Sequence, residues 1–221
     1  MDPGPYTPGS TIAVPVFVSD AAGSLLTTNS FRLYLSNNTG SFATETLIGE
    51  YKSFYAAFVN GTIPATAAPG TYKVRVKSSA PAVISSESAP FVVSAGDKVT
   101  AEISASSAQT IASNPTTFGS CNSANAGNTT YIFTNATSPA TAVVTASVKN
   151  ELTGTPASPL VFSTPSQTFS ATRAHFTIVV RAEVNGFVGT KAYFLINSVV
   201  NTAFSTTGTS AVCLPADPLE Y

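Results

Sequence analysis

Apolar residues in this chain recur at every second position over most of its length, and no stretch shows the 3.6-residue period of a helix face. Side chains of a strand alternate between two faces, so this period admits an all-β chain and little else. Ile12, Val14, Val16 and Val18 alternate with Thr11, Ala13, Pro15 and Phe17, and Phe31, Leu33 and Leu35 alternate with Arg32 and Tyr34. Tyr72, Val74 and Val76 alternate with Lys73, Arg75 and Lys77, the clearest inside/outside strand of the first half. Pro15 has no N–H to give a ladder, which predicts that the first strand lies at a sheet edge. Further strands at 45–51, 56–63 and 90–94 complete the spacing of a sandwich.

Alternation restarts after Ser94-Ala95-Gly96-Asp97, with Val99, Ala101, Ile103 and Ala105 on one side, and this predicts a boundary near residue 96. The expected organisation is two tandem Ig-like or fibronectin-III-like antiparallel β-sandwich domains, 1–96 and 97–221. Strands of the second are predicted near 129–135, 141–149, 160–163, 167–183 with a break, 187–198 and 209–214. Asn185-Gly186 supplies the two positive φ angles of a type I′ turn, which predicts a hairpin with arms of about ten residues. On its first arm Ala174, Phe176, Ile178 and Val180 form the inner face. Arg173, His175, Thr177 and Arg181 form the outer one, so the only histidine is expected to face solvent.

Polarity comes from hydroxyls rather than charges. Of 221 residues, 28 are Ser and 31 Thr, while charged residues make up 10%, against roughly a quarter in ordinary soluble domains. A formal net charge of −1, evenly divided along the chain, offers no basic face to a polyanion and argues against nucleic acid as a partner. The longest apolar run, Phe54 to Val59, is far shorter than the roughly 18–20 residues that span a bilayer, so no membrane insertion is expected. That run is either packed on both faces or forms an apolar contact patch. The residues at both ends of the chain read as those of a piece of a longer one.

Catalytic constellations are sparse. A triad needs a base beside a nucleophile, and the single imidazole is expected on an open strand face. Glycoside hydrolysis needs two facing carboxylates; Glu45 with Glu50 and Asp217 with Glu220 are the only close acidic pairs, and solvated strand-edge charges account for them better. No Asp/Asn calcium run, zinc spacing or phosphate-binding glycine loop occurs, so no catalytic residue, metal or cofactor is assigned. Tyr34, Tyr51 and Tyr55 are candidate aromatic contacts, to be weighed against cross-strand packing. Lys73, Arg75 and Lys77 form a stripe that either meets an acidic polysaccharide or is a solvated face discouraging edge pairing.

Low charge, abundant hydroxyls and two cysteines point outside the cytoplasm. Cys121, in the loop-forming stretch Gly119 to Gly127, and Cys213, at the end of the last predicted strand, are expected to pair, the alternative being two separately buried thiols. Such a tie closes a long loop and on chain entropy is worth about 4–5 kcal/mol.

Four blocks of the first half, Thr7 to Val18, Gly40 to Gly49, Gly61 to Ala65 and Pro69 to Val83, resemble the repeated Ig-like modules of very large Bacteroidetes surface proteins. That family includes gliding-motility adhesins of the SprB type, exported by the type IX secretion system. The resemblance covers residues 7–94 and does not extend to the second half. It implies a non-enzymatic structural or adhesive segment of a long cell-surface filament, with neighbouring β-sandwich domains of the same chain, surface polysaccharide or substratum as partners. A carbohydrate-binding module, or an accessory domain of a secreted hydrolase, is the competing reading.

Overall fold

A computed structural model describes residues 1–18, 25–53, 56–105, 109–111, 114–123, 129–151, 153–160, 162, 166–169 and 174–200. Among these residues there are seventeen strands and no helix, as the period-two pattern requires. No helix long and apolar enough to cross a membrane occurs among them. The chain divides into two compact units that interleave in sequence. Met1–Glu102, Ala136–Thr145 and Val179–Ala192 make the first, and Ile103–Asn135, Ala146–Ile178 and the chain from Tyr193 make the second. Gly96, where the alternation restarts, falls inside the first unit.

The first unit opens with β1 (Thr11–Pro15), β2 (Ser30–Leu35), β3 (Thr46–Lys52) and β4 (Phe58–Thr62). It continues with β5 (Gly70–Tyr72), β6 (Val74–Ser79), β7 (Ala82–Ile84) and β8 (Phe91–Val93). One antiparallel sheet runs β3-β2-β6-β7, and the pairs β1-β4 and β5-β8 stand apart from it. Leu33, Leu35, Val74 and Val76 of that sheet share one core with Ile12, Val14, Val59, Tyr72, Phe91 and Val93. This is the sandwich expected from alternating strands; burying each such side chain is worth ~1.5–3 kcal/mol. Tyr6 closes the core, its ring edge-on to Phe91 with centroids 5.6 Å apart.

β1 departs from the expected alternation, because Thr11 and Ala13 are buried as fully as Ile12 and Val14. Its inward edge pairs with β4, while the N–H groups of Thr11 and Ala13 point the other way, to the Val99 carbonyl at 3.2 Å and the Thr190 hydroxyl at 2.9 Å. Pro15 is the next residue on that outward side and has no N–H to leave unpaired, in keeping with its expected edge position.

In the second unit β9 (Ile103–Ala105), β12 (Thr129–Asn135) and β15 (Ser166–Phe169) form a three-stranded sheet in the order β15-β12-β9. A six-stranded sheet joins β10 (Gln109–Ile111), β11 (Asn114–Ser123), β13 (Val143–Asn150), β14 (Pro156–Leu160), β16 (Ala174–Val184) and β17 (Phe187–Val200). Its order is β10-β11-β17-β16-β13-β14, and β14, which begins on Pro156, lies at the edge. Phe118 stacks on Tyr193 at 5.5 Å and meets Phe133 edge-on at 6.2 Å.

The Asn185-Gly186 turn is confirmed. Asn185 has φ 52° and Gly186 φ 80°, and the two long arms flank them. Four expectations for the second half need correction. β11 pairs with β17 in parallel, Thr117 opposite Phe194 through Ser123 opposite Val200, so the sheet is not wholly antiparallel. The chain between the two strands is long enough for the crossover that parallel pairing demands. Cys121 stands in β11, opposite Ser198, rather than in a loop, because sheet pairing overrides the weak strand propensity of Gly119-Ser120-Cys121-Asn122. Thr177 does not face solvent: it is 2% exposed, and its Oγ1 has no hydrogen-bond partner among the described residues. His175 is half-buried rather than open. Cys213 and the strand expected at 209–214 lie outside the described residues.

At Gly49 β3 passes close to β4. Tyr34 pairs with Leu47 and Leu33 with Gly49, so Ile48 is an extra residue, a bulge that turns its side chain toward the core. A Cβ on Gly49 would sit 1.9 Å from the Asn60 carbonyl oxygen. Gly49→Ala should therefore cost about 1–3 kcal/mol, the range for forced overpacking, seen as a lower denaturant midpoint at unchanged slope. Wild-type stability in that variant would show that the two strands are free to part.

Candidate functional site

The outward face of the β3-β2-β6-β7 sheet gathers most of the residues that the sequence singles out. Tyr34 on β2 stands opposite Arg75 on β6, and Arg32 opposite Lys77, which places aromatic and basic side chains side by side. Glu45, just before β3, takes both Nε and Nη2 of Arg75 on one oxygen at 2.9 and 2.6 Å, and Lys77 Nζ on the other. Arg75 lies over the Phe42 ring at 4.4 Å, and Lys77 over the Tyr34 ring at 4.5 Å. Lys73 pairs with Glu87 at 2.9 Å, and Arg32 with Glu50 at 2.9 Å.

These pairings bear on the two readings of the basic stripe. Three cations meet two carboxylates, leaving one net positive charge where three open ones were a possibility for an acidic polymer. The carboxylates offset most of the stripe's charge. Exposed pairs of this kind add little to stability, so their contribution is to register and edge protection. Tyr34 is half-buried with Lys77 over its ring, and Tyr51, also half-buried, packs against the core cluster. Tyr55 lies outside the described residues, as does Phe54.

Glu45 and Glu50 do not form a hydrolytic pair. Glu45 is held below its ordinary value: burial pushes it up, but its hydrogen bonds from Lys77 and Arg75 outweigh that. Glu50 is held down by Ser30 and Arg32. A general acid needs the opposite shift. Among the described residues no three of His, Cys, Asp and Glu converge on a common point.

An apolar hollow of about 300 Å³ lies elsewhere in the first unit, between Val16, Phe17, Val18, Leu25, Phe31 and Val76. The ring of Phe17 is 91% exposed beside it. Sequence alternation places Phe17 on the outer face but gives no sign of the hollow, which depends on how separate strands end together. Glu45, Phe42 and Glu87 were likewise missed as partners of the stripe, because cross-strand neighbours follow from register.

No family model matches the chain, and no curated protein matches it. Among solved structures it is similar to the fibronectin(III)-like modules of Clostridium thermocellum CbhA, at 12% identity over 92% of this chain and 93% of that one, with a TM-score of 0.30. It is also similar to the FN1–FN3 domains of chicken CNTN1, at 9% identity over 87% of this chain and 65% of that one, TM-score 0.31. A third likeness is to the BSP domain of a biofilm associated protein, at 13% identity, 88% and 28% coverage and TM-score 0.31. At such scores the likeness assigns neither family nor function.

His175 should give this half of the chain a pH dependence. Burial holds its imidazole below the ordinary 6.5, with Glu151 pulling weakly the other way. The unfolded chain therefore takes up the proton first. Stability should be complete above pH 6.5, decline as pH falls through 6.5, and stop declining below the folded-state value. Urea denaturation between about pH 5 and 8 should show this slope in the wild type and a flatter one in His175→Gln. Equal slopes would place the titration elsewhere.

Proposed function

We propose that the chain is a non-enzymatic structural and adhesive segment of a long bacterial cell-surface filament, exported through type IX secretion and serving surface adhesion and gliding motility. One observation carries the reading. The four sequence blocks that resemble surface-repeat modules fall on strands whose inward side chains share one core. Thr7 to Val18 contains β1, Gly40 to Gly49 leads into β3, Gly61 to Ala65 ends β4, and Pro69 to Val83 holds β5, β6 and the start of β7. The partners are then neighbouring β-sandwich modules of the same chain, and substratum or surface polysaccharide.

Charge pairing on the outward sheet face agrees with this role. A surface whose charge is mostly offset resists strand-to-strand aggregation where many like modules are crowded along one filament. Deletion of this segment from its parent protein should leave the rest displayed at the cell surface but lower attachment to glass and gliding speed. Normal attachment and gliding by cells displaying the shortened protein would overturn the proposal.

A further inference from the structure

The sandwich of the first unit is not completed by the residues that make its strands. Residues 179–192, the tip of the β16–β17 hairpin, belong to the same unit although they follow β8 by more than eighty positions. We propose that this tip is a clasp that seals the outward edge of β1, so that the first unit reaches its protected state only when this late segment of the chain is in place.

An exposed edge strand offers unpaired N–H and C=O groups to any passing strand, and proteins cover such edges. Here the cover is assembled from distant pieces. The Thr190 hydroxyl, 3% exposed, accepts the Ala13 N–H at 2.9 Å and lies 3.4 Å from the Tyr6 hydroxyl. Asn60, beside Ala13 in the β1–β4 register, uses its side chain as a surrogate strand. Its Oδ1 accepts the Ala192 N–H, and its Nδ2 donates to the Ala192 carbonyl, both at 2.7 Å.

Packing fixes the tip as firmly as these bonds do. Val188 is 1% exposed within the core cluster, and its N–H reaches the Pro5 carbonyl at 3.0 Å. Gly189 lies so close under the Val99 carbonyl that a Cβ there would come within 2.2 Å of its oxygen. At the rim Arg181 pairs with Asp2 at 2.7 Å and Lys191 with Glu102 at 2.7 Å. The tip thus gathers the amino-terminal residues, β1, β4 and the 96–102 segment at once.

The clasp does not depend on the functional proposal, and hydrogen exchange on the full-length chain tests it. Thr190→Val removes an acceptor at nearly constant shape, and Asn60→Ala removes the surrogate strand. Both should speed exchange of the β1 and β4 amides by about tenfold or more, as expected when a buried donor loses its partner, with β11 and β12 unchanged. Thr190→Ser, which keeps the hydroxyl, should stay within about twofold of wild type. A protease site built into the exposed turn at Gly154 gives a second reading. After cleavage, β1 and β4 should lose protection at the denaturant concentration at which the piece carrying the hairpin dissociates. Unaltered β1 exchange in both variants, acceleration spread evenly over the whole chain, or a β1–β4 pair still protected after dissociation would overturn the clasp.

Discussion

Backbone N–H groups received by side-chain hydroxyls are the interaction on which this structure rests. Val99 N–H goes to Ser10 Oγ at 2.8 Å and Ala101 N–H to Thr11 Oγ1 at 2.9 Å, while in the second unit Ile103 N–H goes to the Tyr193 hydroxyl at 3.0 Å. Alternate amides of one extended segment are thus satisfied without a neighbouring carbonyl. β6 is treated alike: Val74 and Val76 donate to Ser88 and Ser85, which return bonds to the Val74 and Val76 carbonyls through their own N–H groups. A hydroxyl accepts and donates together, so it can stand in for a strand where geometry denies a ladder. Leaving any of these buried donors unpaired would cost about 1–3 kcal/mol.

The composition suits that wiring. Many of the abundant Ser and Thr join strand edges through their side chains, and the few charges are largely used in pairs. Thr7 and Ser10, both fully buried, show the economy of it. Their hydroxyls bond each other at 2.7 Å, Thr7 donates onward to the Asp97 carbonyl at 2.8 Å, and Ser10 accepts the Val99 amide. Thr177 breaks the rule among the described residues, a buried hydroxyl in a position whose neighbours are apolar on both sides in sequence.

How much of this was legible beforehand depends on the range of the interaction. Alternation located most strands of the first half, because a strand with one wet face writes its period directly, as Val74 to Lys77 does in β6. Tyr72, read as part of the same strand, belongs to β5 in another sheet. The Asn185-Gly186 turn was legible because two successive positive φ angles restrict the residue choice so strongly. Thr11 and Ala13 misled for the opposite reason: their outward face is covered by a segment far along the chain, and small or hydroxylated side chains suit a buried edge as well as an open one. Cys121 and β11 were hidden by composition, since pairing with β17 holds a Gly/Ser/Asn stretch that has little strand preference alone. On the outward sheet face the basic stripe was legible but its neutralisation was not, for Glu45 reaches Arg75 and Lys77 only through the register of three strands.

Asn60 shows why the first unit cannot be read as an ordinary repeat, even though its blocks resemble one. Its sequence, Asn60-Gly61-Thr62, has the form of a glycosylation acceptor, yet both ends of its side-chain amide are engaged with Ala192. Its backbone carbonyl meanwhile occupies the space a Cβ would need at Gly49. One residue thus joins β3, β4 and the hairpin tip, through a glycine on one side and an amide on the other. A free-standing module would need only the first of these contacts. The second is made to a strand absent from the repeat-like part of the sequence, and it ties the fold of the first half to residues of the second.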